Sequence, residues 1–103
     1  MAGKVTYYAA FVDRAYGDAY RIHSSVDLKK LVKLMTAEHR KLKLGRDVIV
    51  LSRARIAESS EIWNTVAGTT RLIGHIEMDS TYPVFYSKSG KKARVLADGS
   101  FKY

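Results

Sequence analysis

The side chains of this chain that can do chemistry are mostly cations. Eighteen Lys and Arg stand against ten Asp and Glu, giving a formal net charge of +8 at pH 7. Two stretches concentrate the excess. Between Ser25 and Arg46 there are seven Lys or Arg, including Lys29, Lys30, Lys33, Arg40 and Lys41, against Asp27 and Glu38. From Tyr86 onward, Lys88, Lys91, Lys92, Arg94 and Lys102 are opposed only by Asp98. Two such patches can straddle a phosphate backbone, with Tyr86, Phe101 or Tyr103 as stacking rings. The plainer reading is a solvated helix face plus an edge hairpin whose lysines discourage aggregation. Arg53 and Arg55 share one face of an expected strand, where two guanidinium groups can grip phosphates or carboxylates bidentately. The plainer reading there is a strand end that faces solvent.

Histidine is the other reactive type. His23, His39 and His75 are spread over two expected strands and a helix, and nothing in their spacing brings them together. General acid–base chemistry would want one of them beside an arginine and a carboxylate, and His75 with Glu77 two residues on is the nearest approach to that. Such groups on a sheet suffice for a metal-independent nuclease, but ordinary surface or boundary histidines account for them better. No catalytic residue is assigned. No His, Asp or Glu pair has a recognised ligand spacing, and the chain has no cysteine, so neither a metal site nor a cofactor is expected. Ser89-Gly90-Lys91-Lys92 fails as a phosphate loop, because Phe85 stands where the first glycine belongs and Lys92 where Ser or Thr belongs.

The elements that must position these groups are legible in part. Lys4 to Val12 is β-branched and aromatic, as in a strand covered on both faces. Asp13 to Asp18 is a turn, and Ala19 to His23 completes a hairpin. Ser24-Ser25-Val26-Asp27 pairs a capping hydroxyl with a carboxylate three residues on. Behind it, Leu28, Leu31, Val32, Met35 and Leu42 repeat at helical spacing. These signals predict one main helix over about residues 25–44, helical from Val26 to Leu44 and stopped by Gly45. Asp47 to Ile56 reads as a second strong strand. Residues 57–66 fit a strand or a short helix, with the strand preferred, and Ala67-Gly68-Thr69 reads as a turn. Thr70 to Met78 is a strand in which Leu72, Ile76 and Met78 share one face and Arg71, Ile73, His75 and Glu77 the other. Hairpins fill the rest, with Pro83 at a strand start or edge and Asp98-Gly99 at the last turn.

The expected fold is therefore α+β, with one helix across a mostly antiparallel sheet, in the order β-β-α-β and then β-hairpins. At 103 residues the chain is one domain, 1–103, with no linker or internal repeat. No targeting segment or membrane span is visible, and the absence of cysteine fits a reducing compartment, so a cytoplasmic location is expected. Nucleic acid is the commonest intracellular polyanion, and a small non-catalytic protein that binds it through phosphate contacts is the first functional expectation. The alternative is an interaction or inhibitor module for an acidic surface of a partner protein. Small basic chains without motifs are common among phage and mobile-element products, many of which bind host proteins or nucleic acid.

Overall fold

A computed structural model describes residues 4–56 and 71–103. The segment 57–66 and the turn at 67–69 lie outside the described residues. Elsewhere the chain order is β1 (Lys4–Val12), β2 (Ala19–Ser25), α1 (Leu28–Leu42), β3 (Val48–Ile56), β4 (Arg71–Glu77), β5 (Val84–Ser87), β6 (Lys92–Val95) and β7 (Phe101–Lys102). All seven strands form one antiparallel sheet, ordered β2-β1-β3-β4-β5-β6-β7. The α+β expectation is met. Because β2 and β3 flank β1, the helix must pass over β1 on its way between them. Among the described residues no helix is long and apolar enough to cross a membrane.

The helix passes where its stripe meets the apolar face of the sheet. Leu31, Val32 and Met35 are buried with Ala9 and Phe11 of β1, Ile49 and Leu51 of β3, Ile76 of β4, Phe85 of β5, and Ala93 and Val95 of β6. Phe101 extends this layer by stacking on Phe85, with ring centroids 4.1 Å apart. The start of the helix differs from the sequence expectation. Asp27 is the N-cap and accepts a hydrogen bond from the Lys30 amide, while the Ser25 hydroxyl accepts one from the Asp27 amide. A carboxylate at the cap satisfies an orphan amide and also meets the positive end of the helix dipole, so helical structure begins at Leu28 rather than Val26.

The helix end also needs correction. Lys43, with φ 52°, takes the left-handed conformation expected of Gly45, and the amides of Lys43 and Leu44 bond back to the Arg40 and His39 carbonyls. Leu42 consequently lies on the last turn at the rim of the stripe and is exposed, not buried. His39 and Leu44 close that end of the core instead, His39 fully and Leu44 in part. The His39 Nε2 lies 2.8 Å from the Asp47 carbonyl, and its ring meets Phe11 edge-on.

Two bulges set which side chains share this face. In β2, Phe11 pairs with Tyr20 and Ala9 with His23, so two residues, Arg21 and Ile22, oppose the single Ala10. Tyr20 and His23 thereby both face the helix, where Glu38 accepts ion pairs from Arg21 at 3.3 Å and His23 at 3.4 Å. In β4, Gly74 pairs with Leu51 but Leu72 with Ser52, leaving Ile73 as the extra residue. An extra residue reverses the alternation beyond it. Leu72 therefore leaves the face of Ile76 and is exposed, which corrects the expected alternation, while Arg71 moves opposite Arg53. Gly74 beside the bulge admits no side chain: a Cβ there would collide with the Tyr86 carbonyl and approach the Phe85 ring within 2.8 Å.

The packing predicts a clear contrast between two leucines of one helix. Leu31→Ala should cost about 2–5 kcal/mol in urea denaturation, as for other fully buried leucines, whereas Leu42→Ala should cost well under about 2 kcal/mol. Equal costs would mean that the helix is rotated relative to the sheet.

Candidate nucleic-acid interface

Burial of the helix stripe decides where its cations stand. Lys29, Lys33 and Arg40 follow one another at helical spacings of four and seven, so they line one flank. That flank runs beside the C-terminal strands. Gly99 at the β6–β7 turn packs so close to Lys29 that a Cβ would collide with the Lys29 carbonyl, and its φ of +89° independently favours glycine. Further along the helix, Thr36 and Arg40 line a cleft of about 260 Å³ together with Tyr82, Arg94 and Leu96. The Arg94 guanidinium lies 4.3 Å from the centroid of the Tyr82 ring, in cation–π contact. Lys30 and Lys41 are exposed on the outer side of the helix, away from this cleft.

A second concentration lies where β3, β4 and the β5–β6 turn meet the first turn of α1. Arg53 and Arg71 stand directly opposite each other in the register, both exposed. They line an open groove of about 640 Å³ with Lys88, Ser87, Ser89, Tyr7, Leu28 and Ile73. No carboxylate lines it among the described residues. The Ser87 hydroxyl accepts from the Lys91 amide and lies 3.0 Å from the Ser89 hydroxyl, which fixes the turn that carries Lys88. Arg55 is two residues beyond Arg53, opposite Val5 in the register, and its side chain lies outside the described residues.

Not every expected cation joins these two sites. Lys91 is exposed at the tip of the β5–β6 turn. Lys92 and Arg94 alternate with the buried Ala93 and Val95 and so leave the strand on the face away from the helix; Lys92 lies 6.0 Å above the Tyr86 ring, whereas Arg94, nearer the strand end, borders the cleft. Tyr86 in turn stacks on His75 at 5.3 Å. Of the three rings read as stacking partners, Phe101 is spent on Phe85, Tyr86 on His75 and Lys92, and Tyr103 is exposed. Sequence reasoning did not assign Arg71, Tyr7 or Tyr82 to an anion site. The signal for Arg71 was available in Gly74, since an isolated glycine inside a strand pattern marks a bulge.

The carboxylates gather elsewhere. Glu77 accepts Arg14 at 3.1 Å and lies 3.2 Å from His75, and Asp79 accepts Arg14 at 3.7 Å and Arg46 at 3.9 Å. This network ties the β1–β2 turn to the end of β4. It does place a histidine, an arginine and a carboxylate together, but the carboxylate is shared between the other two and none of the described clefts includes His75. Among the described residues no group of three or more His, Asp or Glu is placed to hold a metal ion. Compared with known proteins, the chain matches no family model, no curated protein and no solved structure.

Beside these sites, one polar contact holds the helix end. The half-buried Tyr20 hydroxyl donates to the Asp47 carboxylate. Burial first, then that hydrogen bond and the negative charge of Asp47, push the Tyr20 pKa up from 10.0 to about 12. A phenol that keeps its proton more tightly when folded contributes stability that is complete below its unfolded pKa and lost as pH rises through the folded one. Stability should therefore fall between about pH 10 and 12, and Tyr20→Phe should flatten that fall. Tyrosinate absorbance should show one of the seven tyrosines ionising last in the wild type. A last step at the ordinary pKa, or an unchanged fall in the variant, would remove Tyr20 from this role.

Proposed function

We propose that this protein is a small, non-catalytic nucleic-acid-binding domain that holds its partner mainly through phosphate contacts. One observation supports the reading above the others. The helix and the C-terminal hairpins, two basic stretches far apart in sequence, contribute Arg40 and Arg94 to a single cleft, with Lys29 and Lys33 in line on the same flank. Cations scattered only for solubility have no reason to converge. The carboxylate–arginine ion pairs among the described residues gather around Arg14, Arg21 and Arg46, away from that cleft, and on its flank Asp98 lies near enough to Lys29 to feel its charge. The cleft also contains Tyr82, an exposed ring beside the Arg94 guanidinium, which suits a sugar or base edge.

The second reading, an interaction module for an acidic protein surface, draws on the same cations. It is less well supported by the combination of arginines with an exposed aromatic ring in a narrow cleft. A cytoplasmic location and an origin in a phage or mobile element belong to the proposal as well, on composition alone.

Phosphate contacts make affinity depend steeply on salt. If about four phosphates are neutralised, the log–log slope should be roughly −3.6 on duplex DNA and −2.8 on a single strand, so raising salt from ~50 to ~200 mM weakens binding by roughly 150-fold and 50-fold respectively. Charge reversal at Lys33 and Arg40 should weaken every sequence by a similar factor, while Arg14→Gln, outside the cleft, should matter less. Fluorescence anisotropy on several oligonucleotides measures all of this. No binding at low salt would rule the function out.

A further inference from the structure

The groove beside Arg53 and Arg71 has features that general phosphate attraction does not require. Two arginines directly opposite on neighbouring antiparallel strands repel, and such a pair destabilises a sheet. Here the arrangement is produced by the Ile73 bulge. Without the extra residue, Arg71 would face the other side of the sheet, and the two guanidinium groups would be apart. Lys88 adds a third positive charge at the same groove, and the Ser87 and Ser89 hydroxyls lie beside it. The lining also includes Tyr7, directly across from Arg53 in the β1–β3 register, together with Leu28 and Ile73. The volume of about 640 Å³ falls within the roughly 300–1,000 Å³ typical of small-ligand clefts.

Cations with an aromatic ring beside them in one groove match the phosphate and the base of a nucleotide. We propose that this groove binds one unpaired nucleotide of a single-stranded nucleic acid, its phosphate held by Arg53, Arg71 and Lys88 and its base lying against Tyr7 and Leu28. The inference rests on the nucleic-acid reading and adds the substrate class: single strand in preference to duplex. The reason is steric as well as electrostatic. A base paired in a duplex has both faces stacked and cannot lie against a protein wall, whereas an unpaired base is free to do so. A bound phosphate also relieves the Arg53–Arg71 repulsion, so the site gains from charge neutralisation that an isolated surface cation does not provide.

The test compares three fluorescein-labelled probes by anisotropy at low salt: a twelve-residue oligo-dT, the same strand paired with oligo-dA, and a poly-glutamate peptide of equal charge. The expected result is tighter binding of oligo-dT than of its duplex. The R53Q/R71Q double variant should weaken oligo-dT binding by on the order of tenfold, and duplex binding less, because phosphate contacts made only by the groove are lost. Tyr7→Leu, which keeps apolar bulk at the core edge, should weaken oligo-dT by roughly fivefold or more through lost stacking. Circular dichroism checks that each variant is folded, and replacing two exposed, mutually repelling cations by neutral glutamines is not expected to unfold the sheet. Equal affinity for strand and duplex, with both unaffected by R53Q/R71Q, overturns the inference while leaving the phosphate-binding function in place. Poly-glutamate bound as tightly as oligo-dT with the same dependence on Arg53 and Arg71 overturns it too, in favour of an acidic protein partner. Failure of both nucleic-acid probes to bind overturns the underlying reading itself.

Discussion

The rotation of one helix about its own axis governs the surface of this protein. Leu31, Val32 and Met35 can be buried only if they face Phe11, Ile49 and Leu51 across the sheet. Full burial of each such side chain is worth about 1.5–3 kcal/mol, so three of them outweigh any electrostatic preference of the exposed cations. Once the stripe is placed, Lys29, Lys33 and Arg40 have no freedom to be anywhere but the flank beside the C-terminal strands. The polar end of the helix is then secured by contacts that share one residue: Asp47 offers its carbonyl to His39 and its carboxylate to Tyr20. Glu38 adds Arg21 and His23 from the edge strand. The charge pattern is a consequence of apolar packing.

Register plays the same part for the sheet. Each of the two bulges changes which side chains face the helix, and each does so where a charged group is at stake. The Arg21–Ile22 bulge lets Tyr20 and His23 reach Asp47 and Glu38 together. The Ile73 bulge brings Arg71 across to Arg53. Close approach of the Gly74 backbone to Tyr86 and Phe85 holds β4 and β5 together just past that bulge. A local insertion of one residue thus converts a strand that would separate two arginines into one that pairs them.

These two mechanisms explain what the sequence does and does not disclose. Helical periodicity, the two strong strands and the Asp98-Gly99 turn are local patterns, and the α+β class with its β-β-α-β order follows from them. The strand and turn read over 57–69 lie outside the described residues. The helix ends were displaced because side-chain capping by Asp27 and a left-handed Lys43 depend on neighbours that composition does not reveal. The face of Leu72 and Arg71 departs from simple alternation because the bulge at Ile73 shifts the register beside Gly74, the one glycine within that strand. The convergence of Arg40 with Arg94 could not be read at all. It depends on the fold bringing residues more than fifty positions apart to one cleft, and no pattern within either stretch encodes it.

The electrostatic cost of such convergence can be bounded. Two unit charges about 6 Å apart repel by about 0.7 kcal/mol in water and by about 3 kcal/mol at an effective dielectric constant of about 20. Exposed guanidinium groups such as Arg53 and Arg71 belong near the lower figure, which a domain stable by about 5–15 kcal/mol tolerates. A single lysine face distributed over solvent would avoid even that cost. The acids are instead drawn to Arg14, Arg21, Arg46 and His75, where pairing secures turns and strand ends, and the sites left without described carboxylate partners are the cleft and the groove. At physiological salt the screening length is about 8 Å, so each site acts on what enters it and not on distant charge. An anion seated within that distance of three cations experiences all of them at once, whereas one passing over the exposed lysines of the outer helix face meets them singly. Local concentration of charge, rather than the total of +8, is what makes the cleft and the groove the places where a polyanion would be held.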